Sequence, residues 1–153
     1  MTLSILRRIQ QNGFEALVLT LDSVILGYRR HDLTTGFVPV LHGVGMEVGR
    51  SDPAFMAKHG SEPIADYRPS FPYDKPALDA RAAAGDKEIL ESMRLGKEWM
   101  VEVNSGVYRT WEDLKLIRDN WSGPLILKGI QRVQDAELCL KHGVDGIIVS
   151  NHG

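Results

Sequence analysis

The sequence predicts an α/β protein with a parallel sheet, and three apolar segments of strand length are the main evidence. They cover residues 16–22 (ALVLTLD), 124–129 (PLILKG) and 146–153 (GIIVSNHG). Each ends in polar residues, as a buried parallel strand does when it delivers reactive groups to its carboxyl end. Helical periodicity precedes each strand, and this alternation is typical of a parallel sheet.

The helices are predicted from the spacing of their apolar residues. Residues 3–9 carry apolar side chains at helical intervals, and Asn12-Gly13 supplies a left-handed stop. Thr110 is a good N-cap for a second helix, with Asp113 three residues later. The buried stripe of that helix is predicted to consist of Leu114, Ile117 and Trp121. A third helix is predicted over residues 133–142.

Residues 27–108 are predicted to form a long irregular loop after the first strand, because they contain all but one of the seven prolines. We expect short helices near residues 53–58 and 86–99. Residues 60–79 should be extended or mobile, since proline disfavours helix at its own position and at the residue before it. A connection of this length is either functional or disordered. We interpret it as a lid with a mobile middle.

Composition excludes several classes of protein. The chain has 153 residues, 18 basic and 20 acidic, and this near balance gives no footprint for nucleic acid or an anionic membrane. No apolar run reaches the roughly 20 residues of a membrane helix. The single cysteine, Cys139, excludes an internal disulfide and indicates a reducing, cytoplasmic location. No histidine has metal-ligand spacing, so we predict no metal site, and we expect His31, His42, His59 and His142 at the surface.

Polar residues at the strand ends are the candidate site. Side chains of like parity in a strand share a face, which groups Thr20 with Asp22, and Ser150 with His152. Lys128 ends the middle strand. In a parallel sheet a carboxylate, an ammonium and an imidazole would therefore meet at one edge.

Each of these residues has a catalytic and a structural interpretation. Lys128 either stabilises an anionic ligand with its positive charge or, equally, extends its ammonium to the sheet edge or pairs it with a carboxylate. Asp22 either orients a protonated histidine or, as is commoner for a single residue, caps a turn. His152 is either a general base or part of a frayed tail.

The hydroxyls of Thr20 and Ser150 suit a polar ring system or phosphate, although satisfied core hydroxyls are also frequent. Arg29 could bind a substrate carboxylate through two hydrogen bonds. Arg30 is equally placed by composition, and an exposed loop arginine is the default for both.

Five stretches resemble the FMN-dependent 2-hydroxy-acid oxidases and dehydrogenases. They are residues 17–22 (LVLTLD), 26–32 (LGYRRHD), 126–130 (ILKGI), 135–136 (DA) and 146–153 (GIIVSNHG). The run over residues 20–29 is most similar to the lactate 2-monooxygenase branch.

The resemblance implies a (β/α)₈ barrel, of which about three βα units are present in residues 1–153, with FMN across its carboxyl-end mouth. It implies oxidation of an L-2-hydroxy acid, lactate- or glycolate-like, to the 2-keto acid. His152 would be the base and would touch the substrate, Asp22 would hold the imidazolium, and Arg29 would grip the carboxylate. The flavin would be held by Thr20, Lys128 and Ser150.

The family barrel requires about 250 residues and eight strands, so residues 1–153 are expected to be the central fragment of a longer, homo-oligomeric protein. One alternative is a catalytically inert fragment that neither closes a barrel nor holds FMN. Another is a different phosphate-binding barrel enzyme. The preferred hydroxy acid and the electron acceptor are not determined by the sequence.

Overall fold

All three apolar segments fold as strands and pair in parallel, which confirms the predicted α/β class. The computed structural model describes residues 1–23 and 27–152. Val24, Ile25, Leu26 and Gly153, which belong to segments that carry the resemblance, lie outside the described residues. The elements in chain order are α1 Thr2–Gln11, β1 Leu17–Thr20, α2 Arg30–Thr35, a 3₁₀ helix Pro39–His42, α3 Glu47–Ser51, α4 Pro53–Lys58, α5 Lys75–Ala83, α6 Lys87–Val103, α7 Leu114–Arg118, β2 Leu125–Ile130, α8 Val133–Lys141 and β3 Gly146–Val149.

The chain divides into two compact units. We call Met1 and Gly27–Ser105 the helical unit, and Thr2–Leu26 with Gly106–Gly153 the sheet unit. The sheet has the order β1-β2-β3 with all pairs parallel. Thr20 lies opposite Lys128, and Lys128 lies opposite Ile148. All three strands therefore end at the same edge of the sheet.

In β1 and β2 one face of the sheet is more buried than the other, as strand alternation predicts. Leu125 and Leu127 are fully buried. They belong to a core shared with α1, α7 and α8, namely Leu6, Leu114, Ile117, Trp121, Ile130, Cys139 and Val144. Val18 and Ile148 on the opposite face are exposed. The three residues of the predicted stripe, Leu114, Ile117 and Trp121, are thus buried, although Trp121 follows the end of α7. The prediction of Thr110 as N-cap is wrong, because the helix begins at Leu114 after the N-cap Asp113, whose carboxylate accepts a hydrogen bond from the Thr110 backbone N–H (2.7 Å).

The prediction of a long irregular loop over residues 27–108 is wrong. This region contains α2 to α6 and has its own core of Met46, Phe55, Met56 and Leu95. The helices expected near residues 53–58 and 86–99 are present as α4 and α6. Residues 61–74 have no helix or strand, but α5 begins inside the segment predicted to be extended.

Proline position explains the error. Pro53 and Pro76 stand in the first turn of α4 and α5, where the missing N–H costs no intrahelical hydrogen bond. Each follows an N-cap aspartate: Asp52 accepts from the Phe55 N–H, and Asp74 from the Ala77 N–H. These prolines start helices rather than interrupt them.

The surface location predicted for His42 is also wrong. His42 is buried in the helical unit, and its ring nitrogens lie 2.9 Å from the Tyr73 hydroxyl and 2.9 Å from an Asp79 carboxylate oxygen. Burial is tolerated because both polar ring atoms have partners.

Among the helices of residues 1–23 and 27–152, none is long and apolar enough to cross a membrane.

Candidate active site

The carboxylate of Asp22 is the centre of a polar cluster at the carboxyl edge of the sheet. The Lys128 ammonium donates to both of its oxygens, at 3.2 and 3.1 Å. The Ser150 hydroxyl donates to Oδ2 at 2.8 Å, and Nδ1 of His152 lies 2.9 Å from Oδ1. The structure thus brings together four of the six residues selected from the sequence, each from the end of a strand or the segment after it.

The ring of His152 is oriented by local backbone geometry. His152 has φ +74°, an uncommon left-handed conformation for a residue other than glycine. Its backbone N–H donates to the Ser150 hydroxyl at 3.0 Å, which closes a tight turn after β3. This turn directs Nδ1 towards Asp22. When Nδ1 carries the hydrogen of that bond, Nε2 is the unprotonated nitrogen.

Nδ1 of His152 has a second neighbour, which favours the opposite protonation of this nitrogen. The Lys128 Nζ lies 3.1 Å from it. An ammonium is a donor only, whereas a carboxylate is an acceptor only. Asp22 therefore favours the tautomer with hydrogen on Nδ1, and Lys128 favours the tautomer with hydrogen on Nε2. The balance between these two contacts decides which ring nitrogen can accept a proton.

The electrostatics favour an ionised Asp22. The hydrogen bond with His152 holds the pKa of the Asp22 carboxyl well below its usual value, against the opposing effect of desolvation, and Ser150 and Lys128 lower it further. The Asp22 side chain is 9% exposed, whereas Lys128 is 26% and His152 is 50% exposed. A shielded anion therefore lies behind a cation and an imidazole that solvent or a ligand can reach.

Gly129 is a residue of the site that the sequence-based reasoning missed. It has φ +107°, and the pairing of β2 with β3 shifts register between Lys128 and Ile130. A Cβ at Gly129 would lie 2.9 Å from Cβ and 3.0 Å from Cγ of Asp22. A glycine directly after a strand-terminal lysine was the available signal, since glycine in a strand often marks a bulge or a close approach.

The remaining two predicted residues lie outside this cluster. Thr20 is exposed at the end of β1, in register with Lys128. Arg29 belongs to the helical unit, where its exposed guanidinium lies 3.8 Å from an Asp32 carboxylate oxygen. Within residues 1–23 and 27–152, no group of three or more histidine, cysteine or acidic side chains is arranged to hold a metal ion.

Comparison with known proteins gives one consistent family. The sequence matches the family model described as FMN-dependent dehydrogenase over residues 1–153. An FMN-dependent alpha-hydroxy acid dehydrogenase from Penicillium citrinum is 36% identical over 151 residues, which cover 99% of this chain and 32% of the relative. An L-lactate oxidase from Lysinibacillus sphaericus is 34% identical over 153 residues, which cover 98% of this chain and 31% of the relative.

Solved structures agree with the sequence comparison. A mutant of an active chimera of (S)-mandelate dehydrogenase is 27% identical, with a TM-score of 0.52, over 99% of this chain and 33% of that structure. A mandelate oxidase is 25% identical, with a TM-score of 0.52, over 99% of this chain and 30% of that structure. The chain spans about a third of the length of the proteins that it matches.

Proposed function

The chain belongs to the FMN-dependent dehydrogenase family, and from this premise we propose that it contributes part of the active site of an enzyme that oxidises an L-2-hydroxy acid to the 2-keto acid. The observation that carries the proposal is the contact of one shielded carboxylate, Asp22, with Lys128, Ser150 and His152. The family resemblance and its cofactor, FMN, are confirmed by the family match. The activity, substrate and partners of the whole protein are our proposal.

The residues at the sheet edge fit a flavin. An isoalloxazine ring is a flat apolar surface with hydrogen-bond acceptors along its pyrimidine edge. Val18 and Ile148 expose apolar surface on the open face of the sheet, and Lys128 and Thr20 offer donors beside them. We assign flavin contact to Thr20, Lys128 and Ser150. The hydroxyl of Ser150 and the ammonium of Lys128 already donate to Asp22, so either would share its donors between that carboxylate and the flavin.

The protein's part of the reaction is a proton transfer. His152 uses Nε2 to accept the proton from the substrate's α-carbon or hydroxyl. The resulting imidazolium is stabilised by the carboxylate 2.9 Å from Nδ1, which stays ionised because its pKa is lowered. Bound FMN supplies the two-electron acceptor chemistry. Lys128 would help to hold this group, and its positive charge would offset negative charge on it.

We assign the substrate carboxylate to Arg29. Its ion pair with Asp32 is long, at 3.8 Å, and the arginine side chain is 63% exposed. Such exposed pairs contribute little, typically about 0–1 kcal/mol. Arg29 can therefore exchange Asp32 for a ligand at small cost, and its planar guanidinium matches a carboxylate with two parallel hydrogen bonds.

We propose that the three strands are part of a (β/α)₈ barrel. The parallel order β1-β2-β3, with helices packed on one face and polar residues at the carboxyl edge, supports this assignment. The exposed face with Val18 and Ile148 would then point into the barrel. Membership of the lactate 2-monooxygenase branch, homo-oligomeric assembly and a lid function for part of the helical unit stay predictions.

A second candidate is an inert fragment, and the exposed apolar edge favours it for residues 1–153 in isolation. Val149 at the sheet edge is 76% exposed, and unpaired strand edges promote aggregation. In this case the isolated chain would be colourless and would aggregate, whereas the longer protein would be active.

The experiment compares the isolated chain with the full-length protein that contains it. The full-length protein should be yellow, with a flavin spectrum that bleaches when L-lactate, L-mandelate or glycolate is added under nitrogen. The isolated chain should remain colourless. Full-length protein that binds FMN but is not bleached by any 2-hydroxy acid would contradict the proposed function.

A further inference from the structure

We propose that Gly129 is a positioning residue for the Asp22–His152 pair: the absence of a side chain at this bulge sets the carboxylate against Nδ1 and so keeps Nε2 available as a base. This inference rests on the proposed function and assigns a role to a residue that has no side chain. The role is one of geometry, and two independent features of Gly129 support it.

The first feature is the backbone conformation. Gly129 has φ +107°, outside the regions that residues with a Cβ populate readily. At the same point the register between β2 and β3 shifts between Lys128 and Ile130. Bulges with a glycine at positive φ are frequent beside active sites, where they change the direction of a neighbouring side chain. Here the neighbour on the N-terminal side is Lys128.

The second feature is the close approach of Asp22. A Cβ on residue 129 would lie 3.0 Å from the backbone nitrogen of Asp22, as well as 2.9 Å from Cβ and 3.0 Å from Cγ. Rotation of the Asp22 side chain would relieve only the contact with Cγ. The backbone there is held by the Leu21 N–H, which donates to the Lys128 carbonyl at 2.8 Å. Any side chain at position 129 therefore displaces the carboxylate.

Displacement of the carboxylate would change the protonation pattern of His152. Nδ1 lies 2.9 Å from the Asp22 oxygen and 3.1 Å from the Lys128 ammonium. If Asp22 moves away, the ammonium becomes the remaining partner of Nδ1 and donates to it. The hydrogen of the neutral ring then resides on Nε2, the atom that must accept the substrate proton. The site would keep all its charged groups but lose its base.

The test uses full-length FMN-bound protein with Gly129→Ala and the control Gly143→Ala. Gly143 also has positive φ, +67°, in the sheet unit, but a Cβ there would meet no atom within 4 Å. Both substitutions strain the backbone, but only Gly129→Ala should displace Asp22. We expect Gly129→Ala to reduce the rate of flavin bleaching by about 10²- to 10⁴-fold, the usual contribution of a general base. Gly143→Ala should change it less than about threefold.

A double-mutant cycle identifies the route of the effect. If Gly129 acts through Asp22, the variant Asp22→Asn should already lose what Gly129→Ala removes, because residues that act as a unit are not additive. The double variant should then match Asp22→Asn within about threefold. If the double variant instead lost bleaching rate by the product of the two single losses, the inference would be overturned. Normal bleaching in Asp22→Asn would instead overturn the proposed function.

Two further measurements do not depend on turnover of Gly129→Ala. In ¹⁵N-histidine-labelled protein, the NMR signals of His152 should indicate hydrogen on Nδ1 in the parent and on Nε2 in Gly129→Ala. An unchanged tautomer would refute the mechanism. If Gly129→Ala does not fold, Asp22→Glu keeps the charge but moves the carboxylate by one methylene with Gly129 intact. Bleaching by Asp22→Glu at the parent rate would show that carboxylate position is unimportant, and the inference would fail.

Discussion

Replacement of His152 by alanine is the most direct perturbation of the proposed base. The side chain is half exposed, and Nδ1 of its ring contacts Asp22 at 2.9 Å and the Lys128 ammonium at 3.1 Å. After its removal Asp22 keeps the Lys128 ammonium at 3.1 Å and the Ser150 hydroxyl at 2.8 Å. The carboxylate is therefore not left unpaired, and the fold around the site should survive. Thr20 and Lys128 remain available to the flavin.

The expected loss concerns the chemical step alone. General base catalysis contributes about 10²- to 10⁴-fold, which corresponds to about 3 to 5 kcal/mol of transition-state stabilisation. In the full-length protein, His152→Ala should therefore bind FMN normally but bleach at least 100-fold more slowly with L-2-hydroxy acid, measured by anaerobic stopped-flow absorbance.

A matched control is His142→Ala. His142 also belongs to the sheet unit, but it follows α8 at the opposite end of β3 and stacks on Trp111, with ring centroids 5.1 Å apart. Its bleaching rate should equal that of the parent. A parent-like rate in His152→Ala would refute the assignment of the base, and loss of FMN from His152→Ala would show that the variant tests cofactor binding instead.

Three further predictions concern stability, all measured by denaturant or thermal unfolding of the full-length protein. Leu127→Ala removes a side chain that is 1% exposed and should lower the free energy of unfolding by about 2 to 5 kcal/mol. Leu140→Ala, at a position 79% exposed, should change it by less than about 0.5 kcal/mol. Equal effects of the two substitutions would contradict the core described for the sheet unit. Gly96→Ala should lower the melting temperature because a Cβ there would clash with the Val40 carbonyl, even though alanine favours helix over glycine by about 1 kcal/mol. Lys97→Ala in the same helix is the control. A higher melting temperature for Gly96→Ala would disprove the close packing. Hydrogen bonds from Arg94 and Ser61 lower the pKa of Glu91 from 4.5 to about 2, so its contribution to stability is complete above pH 4.5 and is lost as the pH falls towards 2. Glu91→Gln should therefore flatten the acid decline between those pH values, and an unchanged decline would contradict this role of Glu91.

The sheet and its site were predictable because strand geometry is strict. A period of two residues fixes which side chains share a face, and parallel pairing puts all strand ends at one edge. These rules group Asp22, Lys128, Ser150 and His152 from the amino-acid sequence alone, and the folded chain brings them within hydrogen-bond distance. Their catalytic roles and that of Arg29 stay predictions, because a contact does not identify a reaction.

The helical unit was not predictable by the same means. The positions of α4 and α6 could be predicted, but α2 and α3 are short, and the abundant proline and glycine of the region resemble the composition of a loop. The decisive detail is local: Pro53 and Pro76 follow capping aspartates, so they belong to first turns. Gly96 lies where α6 meets the backbone of Val40, a tertiary requirement that no pattern within α6 reveals. Gly129 was missed for the same reason, since its meaning depends on Asp22, more than a hundred residues earlier in the chain.

The cluster has one acceptor and several donors, so substitution of the acceptor should affect it more than substitution of a donor. Asp22 is the shared acceptor, with Lys128, Ser150 and His152 around two oxygens. Removal of one donor leaves the others bound, because a carboxylate has about four acceptor positions. Removal of the carboxylate instead deprives an ammonium, a hydroxyl and an imidazole of a partner at once, and it leaves the Lys128 cation beside an imidazole that must become cationic. Loss of Asp22 should thus harm the site more than loss of Ser150. A residue that only positions Asp22, such as Gly129, should approach the severity of losing Asp22 itself.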